Sequence, residues 1–300
     1  MAINRAQLAK ELEPGLNALF GMEYARYENE AAEIFEQESS DRAFEEEVML
    51  VGFGQAAVKA EGAAVGFDSA QESFTARYTH ETIALAFSLT EEAVEDNLYD
   101  TLSARYTKSL ARSMAYTKQV KGANILNNAF STAGGDGVSL VNATHPTALG
   151  GNWSNVSSTN ADLNETSLEQ AMIDIAGFID ERGLKVAMKA RKLFIPVNTQ
   201  FVADRLLNST LRVGTADNDI NAIKNMGILP DGYTVNHYLT DIDAWFIKTD
   251  CPNGLKHFTR AALSTGMEGD FDTGNMRYKA RERYSFGWSD PRCVFGSQGS

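Results

Sequence analysis

Leu8, Leu12, Leu16 and Leu19 recur at helical spacing and predict a short amphipathic helix over the first twenty residues, which Pro14 interrupts or restarts. The stretch that follows, to residue 47, has too few apolar positions to bury itself and reads as an arm that needs a partner. From Val48 the pattern becomes strand-like: Val48-Met49-Leu50-Val51-Gly52-Phe53-Gly54, a Gly- and Ala-rich middle around Gly62 and Gly66, then alternating Phe74-Thr75-Ala76-Arg77-Tyr78-Thr79. Two such runs around a glycine-bearing tip predict a long hairpin. It lacks a thick apolar face, so it is expected to project and to find its stabilisation on a neighbour.

Ile83-Ala84-Leu85-Ala86-Phe87-Ser88-Leu89 reads as a strand leading to Thr90, a good N-cap, with Glu91 and Glu92 suited to the positive end of a helix dipole. Val94, Leu98, Leu102, Tyr106, Leu110 and Met114 then mark a helix running to Gly122, about 45 Å at 1.5 Å per residue. It has no sustained heptads and reads as a strut. Residues 131–164 are rich in Gly, Ser, Thr and Asn and irregular. Leu168, Met172, Ile175 and Ile179 predict a second helix, with Ser167 and Gln170 as a capping box and Gly183 as its stop. Leu193-Phe194-Ile195-Pro196-Val197 reads as a buried strand, and Asn198 caps a helix carrying Phe201, Val202 and Leu206. Two strands flank Asp241-Ile242-Asp243, and the remainder to Phe295 is extended and aromatic. Helices and strands mix without βαβ regularity or repeats, so the fold class is α+β.

The chain's 300 residues and 32.8 kDa suit one large domain or two interlocked ones, and 43% apolar with 22% charged residues excludes wholesale disorder. No run of 18 apolar residues appears, so no membrane-crossing helix is expected, and the first residues lack an apolar signal core. Charge is informative once mapped. Within the net −13, residues 28–47 hold nine acids against Arg42 alone, a local −8. Residues 101–124 hold Arg105, Lys108, Arg112, Lys118 and Lys121 and no acid. The acidic total argues against generic nucleic-acid binding. Two opposed blocks suggest docking of one segment on another, within a subunit or between subunits.

Catalytic signatures fail. No dinucleotide or phosphate-loop glycine motif and no nucleophile elbow occurs. His80, His145, His237 and His257 lie far apart, with no metal-sharing pair; His145 sits in a turn before Pro146 and His237 in an alternating strand beside Tyr238. Asp217-Asn218-Asp219 resembles the start of a calcium loop but lacks its glycine and closing glutamate, so it reads as a surface turn. Asn152, Asn155, Asn164 and Asn208 open Asn-x-Ser/Thr triplets that have no secretion context. Cys251 and Cys293 match no disulfide framework or metal knuckle, and Cys293 reads as a packed thiol. Trp245, Tyr278, Tyr284 and Trp288 read as core and interface filling. No cofactor or metal is expected, and the weight moves to assembly.

The order of parts resembles the major capsid proteins of tailed bacteriophages with the Hong Kong 97-like fold, and among them the Mu-like major head subunits. Phe87-Ser88-Leu89-Thr90-Glu91-Glu92-Ala93-Val94-Glu95-Asp96-Asn97-Leu98-Tyr99 resembles the opening of that family's spine helix. His145-Pro146 with Gly150-Gly151-Asn152-Trp153-Ser154-Asn155 resembles a loop of the head subunits, and Leu193-Phe194-Ile195-Pro196 the strand after their next helix. Arg281-Glu282-Arg283-Tyr284-Ser285-Phe286-Gly287-Trp288-Ser289-Asp290-Pro291-Arg292 resembles their C-terminal signature most specifically. No residue corresponds to a covalent Lys–Asn cross-link.

The resemblance implies an N-terminal arm over residues 1–47 and an extended loop over 48–82. It implies a peripheral domain with the spine helix over 83–130 and 262–290, and an axial domain over 131–261 and 291–300. It also implies a structural subunit, not an enzyme, that self-assembles as pentamers and hexamers into the icosahedral head of a virion. That head would form in the host bacterial cytoplasm and enclose dsDNA without sequence-specific binding. The expected partners are further copies of the chain, a portal, a possible decoration protein and a scaffolding protein. The scaffold is expected to be separate because the chain begins just before its first helix. Candidate assembly-interface residues are Arg105, Lys108, Arg112, Glu45, Glu46, Glu47, Glu61, Arg281 and Arg283. The alternatives are an encapsulin-like protein compartment and a metal-dependent hydrolase whose ligands meet only in three dimensions.

Overall fold

The computed structural model describes residues 5–90, 92, 99–212, 219–270 and 273–300. The expected helix opening at Glu91 and from Ala93 to Leu98, and the Asp217-Asn218 turn, lie outside the described residues.

Two four-stranded sheets carry the fold. Helix α1 (Arg5–Arg26) runs unbroken through Pro14, contrary to the expected interruption. Proline removes one backbone donor there, but Leu16 and Phe20 beyond it are buried against Leu110, Ala111, Met114, Tyr278 and Ala280, which holds the turn together. After α2 (Glu30–Ile34) come β1 (Glu36–Ser39), β2 (Phe44–Val51), β3 (Gln71–Thr79) and β4 (Glu81–Leu89). Strands β2 and β3 form the expected hairpin, but pairing begins at Phe44↔Thr79, so the hairpin includes Glu45, Glu46 and Glu47.

Helix α3 (Tyr99–Asn127) is the long strut, 29 residues long. It passes the expected stop at Gly122. A Cβ there would lie 2.7 Å from the Ala31 Cβ, so this glycine serves as the close crossing point of α2 and α3. Short strands β5 (His145–Pro146) and β6 (Asn152–Trp153) pair with each other.

Helix α4 (Glu165–Ala176) is capped by Asn164, whose side chain accepts from Ser167 N at 2.9 Å while Ser167 Oγ accepts from Asn164 N at 3.0 Å. The capping box therefore lies three residues upstream of the expected one. The helix stops at Gly177, and Gly183 (φ +80°) belongs to the next turn. Strand β7 (Ala190–Ile195) leads through a 3-10 turn (Val197–Thr199) into α5 (Gln200–Asn208), so Thr199, not Asn198, precedes the α-helix.

The chain continues through α6 (Ala222–Met226), β8 (Tyr233–Val235), β9 (Trp245–Thr249), β10 (Leu255–Gly269), β11 (Met276–Trp288), a 3-10 turn (Pro291–Cys293) and β12 (Val294–Ser297). His237 follows β8 in a turn and not in a strand.

The first sheet has the order β1-β10-β11-β4 and the second β12-β9-β7-β8. Alternation along β11 puts Tyr278, Ala280, Glu282 and Tyr284 on a buried face under α1 and α3. Leu110, Ala111 and Met114 meet it at helical spacing. The larger core lies around the second sheet and α4, where Leu193, Phe194, Trp245, Phe246 and Phe295 are fully enclosed. Each such side chain contributes about 1.5–3 kcal/mol by leaving water. Leu126 of α3 and Ala31 and Ile34 of α2 join this core, so the strut and the acidic segment tie the two sheets together.

Candidate assembly interfaces

The acidic segment finds its partners in its own chain. Glu30 accepts from His237 N at 2.9 Å and meets His237 Nδ1 at 2.7 Å. Glu33 pairs with Lys192 at 2.6 Å, and hydrogen bonds from Lys192 and Thr234 hold its carboxyl below the usual range. Lys256, only 4% exposed along its side chain, lies between Glu38 at 2.9 Å and Glu47. Burial alone would lower the Lys256 pKa, but the hydrogen bonds to Glu47 and Glu38 outweigh it and raise it. Glu45 accepts from Ser40 Oγ at 2.7 Å, and Glu46 lies 3.8 Å from Arg77 across the hairpin. Of the expected interface acids, Glu45 and Glu47 are thus internal ties, Glu46 is half-exposed, and Glu61 is exposed at the hairpin tip.

The basic block divides. Lys118 reaches buried Glu282 at 3.4 Å, and Lys121 pairs with Glu81. Arg105, Lys108 and Arg112 are exposed on α3, with no carboxylate within 4.0 Å among the described residues. Arg281 and Arg283 stand on the open face of β11, Arg281 exposed and Arg283 half-buried. Among the described residues of one chain, the acidic segment and the basic helix therefore do not dock on each other through ion pairs. Two sets of cations remain available to another molecule.

A buried polar knot anchors the quoted 145–155 loop. His145 Nδ1 meets Asp136 at 2.6 Å, its Nε2 donates to Asn155 Oδ1 at 3.0 Å, and its ring stacks on Trp153 at 4.6 Å. Asn155 Nδ2 reaches the carbonyls of Leu140, Pro291 and Val294 at 2.7–2.9 Å. Arg292, 4% exposed, bonds Glu181 at 2.8 Å and Ile179 O at 2.7 Å and lies over Trp153. Asp290 caps the turn that Pro291 opens, accepting from Arg292 N at 2.9 Å. Together these contacts steer the chain end from the first sheet into the second. Sequence reasoning did not find the roles of Arg292, Glu181 and Lys256. The Asp290-Pro291-Arg292 string did carry a signal, a capping acid before a proline at the first position of a helical turn.

A second buried group lies between α1, α3 and the first sheet. Burial raises the Glu282 carboxyl pKa and lowers that of His257 to about 4, with the Lys118 charge adding to the latter. Tyr24 donates to Glu282 at 3.4 Å, and His257 Nδ1 donates to Gln37 Oε1. No cluster of three His, Cys, Asp or Glu side chains suited to a metal occurs among the described residues. Cys251 and Cys293 are buried free thiols that burial pushes well above the usual range. What the geometry offers is a braced body with a projecting hairpin and exposed cation rows, which suits assembly.

Residues 72–296 match the family model described as phage capsid protein. The chain belongs to that family. Its task in this family is structural, as a phage capsid protein of the virion. No curated protein matches the chain. The fold is similar to the capsid of the empty GTA particle, with 14% identity, a TM-score of 0.58, and coverage of 91% of this chain and 90% of that one. It is similar to the virus-like particle from Pyrococcus furiosus at 10% identity and a TM-score of 0.55, covering 95% and 98% of the two chains. It is also similar to the procapsid of bacteriophage JBD30 at 13% identity and a TM-score of 0.53, covering 99% and 77%. These likenesses establish the Hong Kong 97-like α+β fold.

Proposed function

We propose that this capsid protein is a Mu-like major head subunit that assembles as pentamers and hexamers around a dsDNA genome, with a separate scaffolding protein, a portal and a decoration protein as partners. The observation that carries the assembly reading is the set of exposed cations without a carboxylate partner among the described residues, Arg105, Lys108 and Arg112 on α3 and Arg281 on β11 beside half-buried Arg283, in a chain of net charge −13. A charge arrangement of this kind suits neighbours of the same sequence, because each copy presents both signs. Residues 1–47 act as the N-terminal arm, 48–82 as the extended loop, 83–130 and 262–290 as the peripheral domain, and 131–261 with 291–300 as the axial domain. Arg105, Lys108, Arg112, Glu46, Glu61, Arg281 and Arg283 contact neighbouring subunits, and many moderate contacts closed by symmetry make the shell hard to open.

Co-expression with the scaffolding protein, followed by cryo-electron microscopy of the particles, tests this reading. Closed shells with five- and six-fold capsomers are expected, and these cations should lie within about 4 Å of carboxylates on adjacent copies. Shells whose subunit boundaries leave all of these residues in solvent would overturn the assignment.

A further inference from the structure

The packed face of the first sheet carries polar atoms that the chain itself does not pair. Glu282 and Tyr284 alternate onto the face of β11 that lies under α1 and α3. His257 of β10 stands opposite Phe286, two residues beyond Tyr284, and so shares that face. All three residues are 2% exposed. Yet Glu282 Oε1, Tyr284 Oη and His257 Nε2 have no hydrogen-bond partner among the described residues. Buried polar atoms are rarely left so, because each forfeits the bonds that water gave it.

The three atoms belong to one connected group. Lys118 of α3 and Tyr24 of α1 both reach Glu282 through its other oxygen, Oε2, at 3.4 Å. The Lys118 ammonium lies 5.1 Å from the centre of the Tyr284 ring, and the His257 ring meets that same ring edge-on at 5.6 Å. Both contacts to Oε2 are long against the roughly 2.5–2.9 Å usual for bonds to a charged partner, so the group is not drawn tight.

Its donors and acceptors do not balance. Gln37 Nε2 donates to the carbonyl of Phe35 at 3.4 Å, which leaves Gln37 Oε1 as the acceptor for His257 Nδ1. The ring proton is therefore on Nδ1, and Nε2 presents a lone pair. Beside the Lys118 ammonium, Glu282 Oε1 is a carboxylate acceptor. Tyr284 contributes one O–H. Two acceptors thus have a single hydroxyl donor between them, and rotation of that hydroxyl serves at most one. Water restores the balance by donating to Glu282 Oε1 and His257 Nε2 and accepting from Tyr284 Oη, about three bonds, as is usual for a buried water. Lys118 keeps 18% of its side chain exposed, which gives solvent a way in.

We propose that Glu282, Tyr284 and His257 form a binding site for ordered water, which bridges the buried polar atoms of the first sheet beneath α1 and α3. The seam between α1 and the sheet then has two unlike halves. Leu16 and Phe20 close a dry half against Leu110, Met114 and Tyr278. Tyr24, one turn further along α1, closes a wet half on Glu282.

A crystal or cryo-electron microscopy map at about 2 Å or better should show water density within about 2.7–3.2 Å of at least two of the three atoms. A map in which no water contacts two of them would overturn the proposal. Urea unfolding of the full chain gives a second readout. Tyr284→Phe keeps the ring and removes only the hydroxyl, so a bridged hydroxyl predicts a folding constant lowered by at least about threefold. An unchanged or raised constant would mean that the hydroxyl has no partner, and would overturn the proposal. Combining Tyr284→Phe with Glu282→Gln should cost less than the product of the two single losses, because both act through the same water. Losses that simply multiply would place the two groups in separate surroundings and contradict a shared site.

Discussion

Residues 28–47 and 101–124 carry opposite charge and look alike as blocks, yet the structure treats them differently. The acidic segment is tied piece by piece to the body of its own chain: Glu30 bonds His237, Glu33 pairs with Lys192, and Glu38 and Glu47 share Lys256. The basic block is cut in two by packing. Its C-terminal Lys118 and Lys121 turn inward to Glu282 and Glu81, whereas Arg105, Lys108 and Arg112 remain on the surface of α3. Burial, not net sign, decides which charges are internal fasteners and which are available to other molecules. Four perturbations sharpen that contrast, taken from the largest effect on stability to the smallest.

Lys256→Met removes the buried cation that bridges Glu38 and Glu47, and urea unfolding of the unassembled chain should show a loss of about 3 kcal/mol, since breaking a buried pair leaves carboxylates uncompensated. A change below about 0.5 kcal/mol would make this fastener a surface pair in effect.

Acid should weaken the same region. His257 stays neutral in the folded chain down to about pH 4, while an unfolded histidine takes up its proton near pH 6.5. The unfolded state therefore binds more protons between those values, and stability falls as pH drops through that window, by up to about 3 kcal/mol. Glu282 acts in the opposite sense, because its raised pKa makes the folded state the earlier proton acceptor. His257→Gln should flatten the pH dependence and Glu282→Gln should steepen it. Parallel profiles for all three proteins would contradict the assignment.

Asn164→Ala removes the cap of α4 and should lower stability by about 1 kcal/mol in the same urea assay, with no change in assembly. Reversing Arg105, Lys108 and Arg112 to Glu should change chain stability by less than about 0.5 kcal/mol, yet reduce the yield of closed shells by about tenfold or more. Equal yields would remove this face from the assembly account.

The large elements were legible where one period dominated. The α3 strut, the hairpin and α4 all announced themselves through apolar spacing. Boundaries were lost where a tertiary contact overrode a local signal. Gly122 reads as a stop by itself, but the touching Ala31 makes it a crossing point. Pro14 reads as a break, but Leu16 and Phe20 hold the helix across it. The exposed members of the candidate interface were visible as charge at helical or alternating spacing. The partners of Glu45 and Glu47 were not, because Lys256 and Ser40 reach them only through the pairing of β1 with β10 and the fold of the hairpin onto the sheet. Nothing in Leu255-Lys256-His257-Phe258 distinguishes a buried cation from an exposed one until the neighbouring strand is in place.

Sedimentation of the expressed chain, alone and with the proposed scaffolding protein, with negative-stain images of each fast fraction, tests the central claim most directly. The account predicts closed shells or five- and six-fold rings. A 32.8 kDa monomer under every condition, scaffold included, would contradict it.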